Sequence, residues 1–187
     1  MFHPSPCTDS FQSQYGRLVA ARESVMSMPE FCSARCMQSR WFVSDIANQR
    51  PLMTPFPDGA SSVIQQPPLD GSKVALWMYV CRADGDAVCD EHTFLLHRNG
   101  YTHFWASALT SAGGDSGSQT AEILERYDTM LADRGMTLAG DCVRTWFFVR
   151  DVDTHYLGLV RARRENFEAQ GLTPRTHFIA STGIGGS

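Results

Sequence analysis

Cys142-Val143-Arg144-Thr145-Trp146-Phe147-Phe148-Val149 is a run of strand formers broken only by Arg144 and Thr145, and it reads as a mostly buried β-strand. After it, Asp153 or Thr154 stands where a helix N-cap belongs. Tyr156, Leu159, Val160, the stem of Arg163 and Phe167 then recur at helical spacing as far as Gly171. Residues 176–181 read as the next strand. Upstream, residues 119–134 place Ala121, Leu124, Tyr127 and Leu131 on one helical face, and Gly135 sits where a left-handed C-terminal cap is needed. Ser116-Gly117-Ser118-Gln119 has capping-box spacing at the start of that helix. Before it come residues 73–81, 93–97 and 101–109, all rich in strand formers. Ala83-Asp84-Gly85-Asp86 and Asn99-Gly100 supply the turn signals between them. The order β-β-β-α-β-α-β predicts an α+β fold: a mixed sheet with two helices on one face, both on the same side by the right-handed crossover rule.

The region before this pattern is of a different kind. Residues 1–10 carry Pro and Ser and are expected to be a flexible N-terminus. Phe11, Tyr15, Leu18, Val19, the stem of Arg22, Val25 and Met26 follow helical spacing up to Pro29, and residues 37–45 read as a strand. Residues 11–50 are therefore a helix-strand extension. Pro51, Pro55, Pro57, Pro67 and Pro68, with Asp58-Gly59 and Asp70-Gly71, mark residues 51–71 as a long connection and a candidate boundary, leaving 72–187 as the main domain. Tyr15-x2-Leu18-Val19-x-Ala21-Arg22 echoes Tyr156-x2-Leu159-Val160-x-Ala162-Arg163, so the extension reads either as a degenerate half-repeat or as a chance coincidence of helical faces.

Composition removes several function classes. The 187 residues are 43% hydrophobic and 11% aromatic, enough apolar surface to form a core and too much for a disordered chain. The longest apolar runs have strand length, so no membrane partner is expected. A net charge of −4 without a basic stripe argues against nucleic acid. Lys73 is the single lysine, so cationic recognition falls to arginine, whose planar fork suits carboxylates; arginine-rich coding alone would give the same bias. Cys7, Cys32, Cys36, Cys81, Cys89 and Cys142 fit no paired zinc spacing and read as reduced thiols in a cytoplasmic protein. Cys89-Asp90-Glu91-His92 is explained more simply as a polar loop than as a metal site.

Several segments taken in order resemble the Rid family, also called YjgF-like or endoribonuclease L-PSP-like, whose relatives include the chorismatases. They are Phe104-Trp105-Ala106-Ser107, the helix starting near Gln119-Thr120, Gly135-Met136-Thr137-Leu138, and Val143 through Val149 to Asp151-Val152-Asp153. Arg163-Arg164-Glu165-Asn166-Phe167 and Pro174-Arg175-Thr176 complete the set. The resemblance implies a chorismate-mutase-like fold, assembly as a homotrimer with clefts between subunits, and no cofactor. It implies that Arg175, with Thr176 and Phe104, binds the carboxylate of a small acid and that Ser107 is the catalytic hydroxyl. On residue chemistry alone, Arg175 could equally cap its loop or pair with a surface acid. Ser107 could be a satisfied sheet hydroxyl, and His177 an acid-base group or a core histidine.

Two departures from the family pattern matter. Ala108-Leu109 stands where the family usually has Gly-Gln, and the glutamate-bearing strand of deaminating members is absent, with Gly183-Ile184-Gly185-Gly186-Ser187 in its place. The expectation is a domain truncated at its C-terminal end, or one paired with a second Rid-like unit within a longer chain. The implied function is binding of a small carboxylate metabolite with hydrolysis of reactive enamines or imines to 2-keto acids. The alternative is a non-catalytic binding or scaffold unit, and endoribonuclease activity has the least support.

Overall fold

The computed structural model describes residues 1, 2, 4, 8–54, 59–82, 84–90 and 92–186. Cys7, Ala83, Glu91, Ser187 and the Pro55, Pro57 and Asp58 signals of the connection lie outside the described residues. The fold is α+β. It divides into two units, Met1–Ala108 and Leu109–Ser187, so the division falls at the end of the third expected strand rather than in the Pro-rich stretch.

In the first unit, helix α1 (Phe11–Met26) starts at an N-cap, Ser10, whose side chain accepts from the Ser13 N–H. Strand β1 (Ala34–Val43) follows, then the short helix α2 (Ile46–Gln49), β2 (Ala60–Gln65) and β3 (Val74–Arg82). β1 is central, parallel to β2 and antiparallel to β3. Phe11, Tyr15 and Leu18 of α1 bury against Trp41, Val43, Val74 and Leu76. The helix face also holds a residue the apolar pattern passed over. Gln14 is fully buried, its amide donates to the Asp9 carbonyl at 3.2 Å, and its oxygen accepts from the Lys73 N–H at 2.8 Å. A polar side chain tolerates such burial because both ends are satisfied. The helix of the extension is thereby tied to the strand beyond the Pro-rich connection. Phe2 also bridges Leu76 through bonds of 2.7 and 2.8 Å.

Strands β4 (Asp86–Cys89), β5 (Thr93–Arg98) and β6 (Tyr101–Ala106) form a second sheet in that order, antiparallel throughout. The expected hairpin from residues 73–81 to 93–97 is corrected. Both edges of β5 are taken, by β4 and β6, and β3 pairs with β1 instead. The Asn99-Gly100 turn is as expected, with φ of 52° and 76°, the left-handed geometry that joins twisted strands tightly. Met37, at the register shift of β1, joins Ala60, Phe94 and Leu96 in a separate core cluster.

The second unit holds α3 (Ser116–Ala132), the short α4 (Leu138–Asp141), β7 (Arg144–Val149), α5 (Val152–Ala169) and β8 (Ala180–Gly185). β7 and β8 are parallel, as a β-α-β passage requires. Strand pairing is thus divided among three small sheets instead of the single mixed sheet expected. α3 and α5 are joined by Asp128, which accepts from Asn166 Nδ2 at 2.9 Å and from Gln170 Nε2 at 3.1 Å. Gly135 and Gly171 take the left-handed caps the sequence called for.

Four details differ from expectation. The N-cap of α3 is Asp115, which accepts from the Ser118 N–H at 2.8 Å, while Ser116 Oγ donates instead to the His155 carbonyl at 2.8 Å. α5 begins after Asp151, at φ 45°, rather than at Asp153 or Thr154. The last strand lies four residues later than residues 176–181. Where α5 packs on β8, a Cβ on Gly183 would sit 2.7 Å from the Tyr156 ring, so glycine suits this close approach. β7 is mostly half-exposed rather than buried, because a two-stranded sheet has few neighbours. The echo between α1 and α5 is partial: Leu18 and Leu159 are both buried, whereas Tyr15 is buried and Tyr156 exposed.

Gln14→Ala should lower unfolding free energy by about 1–3 kcal/mol, the usual penalty for a buried backbone donor left unpaired. Urea denaturation checks this. Gln14→Glu, which keeps an acceptor for the Lys73 N–H but buries a charge, should be at least as damaging.

Candidate functional site

Alternation along β6 sends Tyr101, His103 and Trp105 to one face and Thr102, Phe104 and Ala106 to the other. The first set is a contiguous aromatic row: Tyr101 and His103 centroids lie 6.4 Å apart, and His103 stacks on Trp105 at 5.8 Å. Trp105 also meets Phe94 edge-on at 5.8 Å and Tyr79 of β3 at 6.2 Å. This row fixes the end of β6, where the chain leaves the sheet through Ser107.

Ser107 is 8% exposed, and its Oγ is a buried oxygen with no hydrogen-bond partner among the described residues. Buried hydroxyls are ordinarily satisfied, because desolvation without a partner costs about 1–3 kcal/mol on mutational scales. The main chain is satisfied, since Ser107 N–H donates to the His92 carbonyl at 2.8 Å. The next residue, Ala108, has φ 55°. A left-handed backbone at a residue with a Cβ costs on the order of 1 kcal/mol. The chain therefore holds the turn of a glycine with an alanine, immediately after an unpaired hydroxyl.

The corner facing Ser107 is built by Asp90. Its Oδ1 accepts from the His92 N–H at 2.8 Å and the Thr93 N–H at 2.6 Å, and its Oδ2 from the Thr93 hydroxyl at 2.7 Å. The Thr93 hydroxyl, ahead of the two N–H donors and the nearby His92, holds the carboxyl below the ordinary aspartate range. A short polar side chain satisfying the backbone two residues on is a recognisable Asx-turn, and Asp90-x-His92-Thr93 was the available signal for it. Sequence reading weighed Cys89-Asp90-Glu91-His92 only as a metal site or a loop, and so passed over its place beside Ser107.

Phe104 and Ser107 belong to the first unit, Arg175 and Thr176 to the second. Arg175 is exposed, and its N–H donates to Thr173 Oγ1 at 3.3 Å. Among the described residues its guanidinium neither caps the loop nor pairs with an acid. Thr176 holds the backbone in place. Its hydroxyl lies 2.6 Å from the Gly171 carbonyl and accepts from the Thr173 N–H at 2.9 Å, closing the turn that presents Arg175. His177 is exposed rather than in the core, and its Nε2–H donates to the Ala139 carbonyl at 2.8 Å, holding the same segment against α4. Tyr127 and Cys142 form another polar contact, at 3.9 Å, and burial raises both of their pKa values above the ordinary range.

No family model, curated protein or solved structure matches the chain. No helix among the described residues is long and apolar enough to cross a membrane.

Ser107→Ala should raise unfolding free energy by about 1–2 kcal/mol, since it removes an unsatisfied buried hydroxyl without leaving a large cavity. A hydroxyl serving the fold would show a loss in the same denaturation experiment. For Asp90 the native pKa is depressed, so its contribution is complete above the unfolded value of about 3.9 and fades as pH falls through the native value. The gap in melting temperature between wild type and Asp90→Ala should therefore stay level above about pH 5 and shrink as the pH is lowered below about 4.

Proposed function

We propose that this chain is a Rid-like protein that binds a small carboxylate metabolite and hydrolyses reactive enamine or imine intermediates to 2-keto acids. The observation that carries the reading is the buried, unpartnered Ser107 hydroxyl followed by Ala108 in a glycine-like conformation. A hydroxyl withheld from water and from the protein is ready to bond a ligand atom at little reorganisation cost. Arg175 supplies the second element, an uncommitted guanidinium that can grip both oxygens of a carboxylate. In this reading Phe104 lies on the strand that leads to Ser107, Thr176 braces the loop that carries Arg175, and the functional assembly is a homotrimer or a tandem with a second Rid-like unit.

The chemistry asks little of the protein. Water adds to the imine carbon, a proton passes to nitrogen, and the carbinolamine releases ammonia, so orientation and a proton carrier supply most of what is needed. No cofactor enters the scheme. Cys32, Cys36, Cys81, Cys89 and Cys142 are all free thiols, which suits the cytoplasmic setting proposed for such a metabolite.

Freshly generated 2-aminoacrylate is the test substrate. The wild-type chain should accelerate pyruvate formation, and Arg175→Ala should lower kcat/KM by about 10- to 100-fold, the worth of a charge-assisted hydrogen bond. Absence of acceleration overturns the hydrolytic reading. Thermal shift with pyruvate and other 2-keto acids then separates a binding unit from no site at all, because a ligand raises stability with the logarithm of its excess.

A further inference from the structure

Thr93 pairs with Ala106 at the end of the β5–β6 ladder, which makes His92 and Ser107 the next opposing positions. The Ser107 N–H···O=C His92 bond of 2.8 Å extends the ladder by that step. Opposing residues of an antiparallel pair project from the same face with Cβ atoms about 5 Å apart. The imidazole of His92 and the hydroxyl of Ser107 therefore leave the backbone side by side, from strand ends that are hydrogen-bonded together.

The two side chains are in complementary states. Ser107 is buried and its hydroxyl is unbonded, whereas His92 is exposed to solvent. Because Ser107 Oγ has no partner, the imidazole does not bond to it directly. A gap of about 5 Å between the Cβ atoms accommodates one bridging oxygen or nitrogen at hydrogen-bond distance from both. The His92 backbone is held at both ends, its N–H by Asp90 Oδ1 at 2.8 Å and its carbonyl by Ser107, so the ring swings from a fixed point. Asp90 also places a carboxylate, with a favourable charge interaction, beside His92.

We propose that His92 is the proton-transfer residue of the Ser107 site, with one ligand atom or water bridging Ser107 Oγ and the His92 imidazole. For its substrate this rests on the imine-hydrolysis reading above. As water forms its C–O bond to the imine carbon, His92 accepts the water proton. It returns that proton to the imine nitrogen to give the carbinolamine, then carries the carbinolamine hydroxyl proton to the same nitrogen as the C–N bond breaks, leaving ammonia and the 2-keto acid with no net change on the imidazole. Asp90 is a positioning residue in this scheme, since it acts through the His92 backbone and charge.

The experiment uses the full chain with His92→Ala and Ser107→Ala. If wild type converts 2-aminoacrylate, His92→Ala should lower kcat by on the order of 100-fold with KM little changed, and added imidazole should restore part of the rate. A rate within twofold of wild type, or a loss that imidazole does not restore, overturns the proposal while the hydrolytic reading stands. If wild type does not convert 2-aminoacrylate, that reading fails and the shared site is judged by binding. The ring signals of 15N-labelled His92 are then followed by NMR as pyruvate is added. A shift in wild type that disappears in Ser107→Ala supports a common site. Signals that stay unmoved, or that move equally in both proteins, overturn it.

Discussion

The first unit depends on β1 having no free side. One edge carries β2 in parallel and the other carries β3 antiparallel. One face is covered by α1 through the contact of Tyr15 with Trp41, ring centroids 5.2 Å apart. A strand so enclosed must satisfy every polar group it brings inside. Ser39 bonds Ser61, and Arg40 bonds Gln38 while its guanidinium lies over Trp77 at 4.8 Å. The Gln14 bridge follows the same rule: it lets the helix of the extension and the strand beyond the Pro-rich connection behave as one body.

Against that background the end of β6 is an exception. Polar groups elsewhere in the core find partners, yet Ser107 keeps a buried hydroxyl unbonded and Ala108 holds a backbone that glycine would adopt more readily. Native structures retain such local costs where surrounding contacts over-determine the geometry, and they concentrate at sites of function. Here the constraint comes from the Tyr101, His103 and Trp105 row on one side and from the Asp90 corner on the other. The turn that presents Arg175 is built with comparable care, by the Thr176 hydroxyl and the His177 ring, both of which serve the backbone rather than a ligand. Of the residues singled out from sequence, Ser107 and Arg175 keep their functional groups uncommitted, whereas Thr176 supports the loop.

Much of the local structure was legible in residue order. α1 began at Phe11, the Asn99-Gly100 turn joined two strands, and Gly135 and Gly171 ended their helices. These features depend on neighbours within a few positions, which is where capping, turn chemistry and helical periodicity act. Errors arose where a distant element decided the outcome. Residues 176–181 carry strand formers, but β8 runs from Ala180 to Gly185, the segment that pairs in parallel with β7. Ser116 has the form of a cap, but its hydroxyl is drawn to His155 on the neighbouring helix, and Asp115 takes the capping place.

By itself, the amino-acid order determined the α+β class, the sites of its turns and helix ends, and the short list of polar residues that could meet a ligand. Those properties are set by backbone sterics and by side-chain periods of two and 3.6, which act over short range. Tertiary structure alone decided how the strands are shared among three sheets, that Gln14 belongs in the core, and that His92 stands opposite Ser107. Each of these is a pairing between segments distant along the chain, and only the closing of hydrogen-bonded edges and buried polar groups selects one such pairing over its competitors.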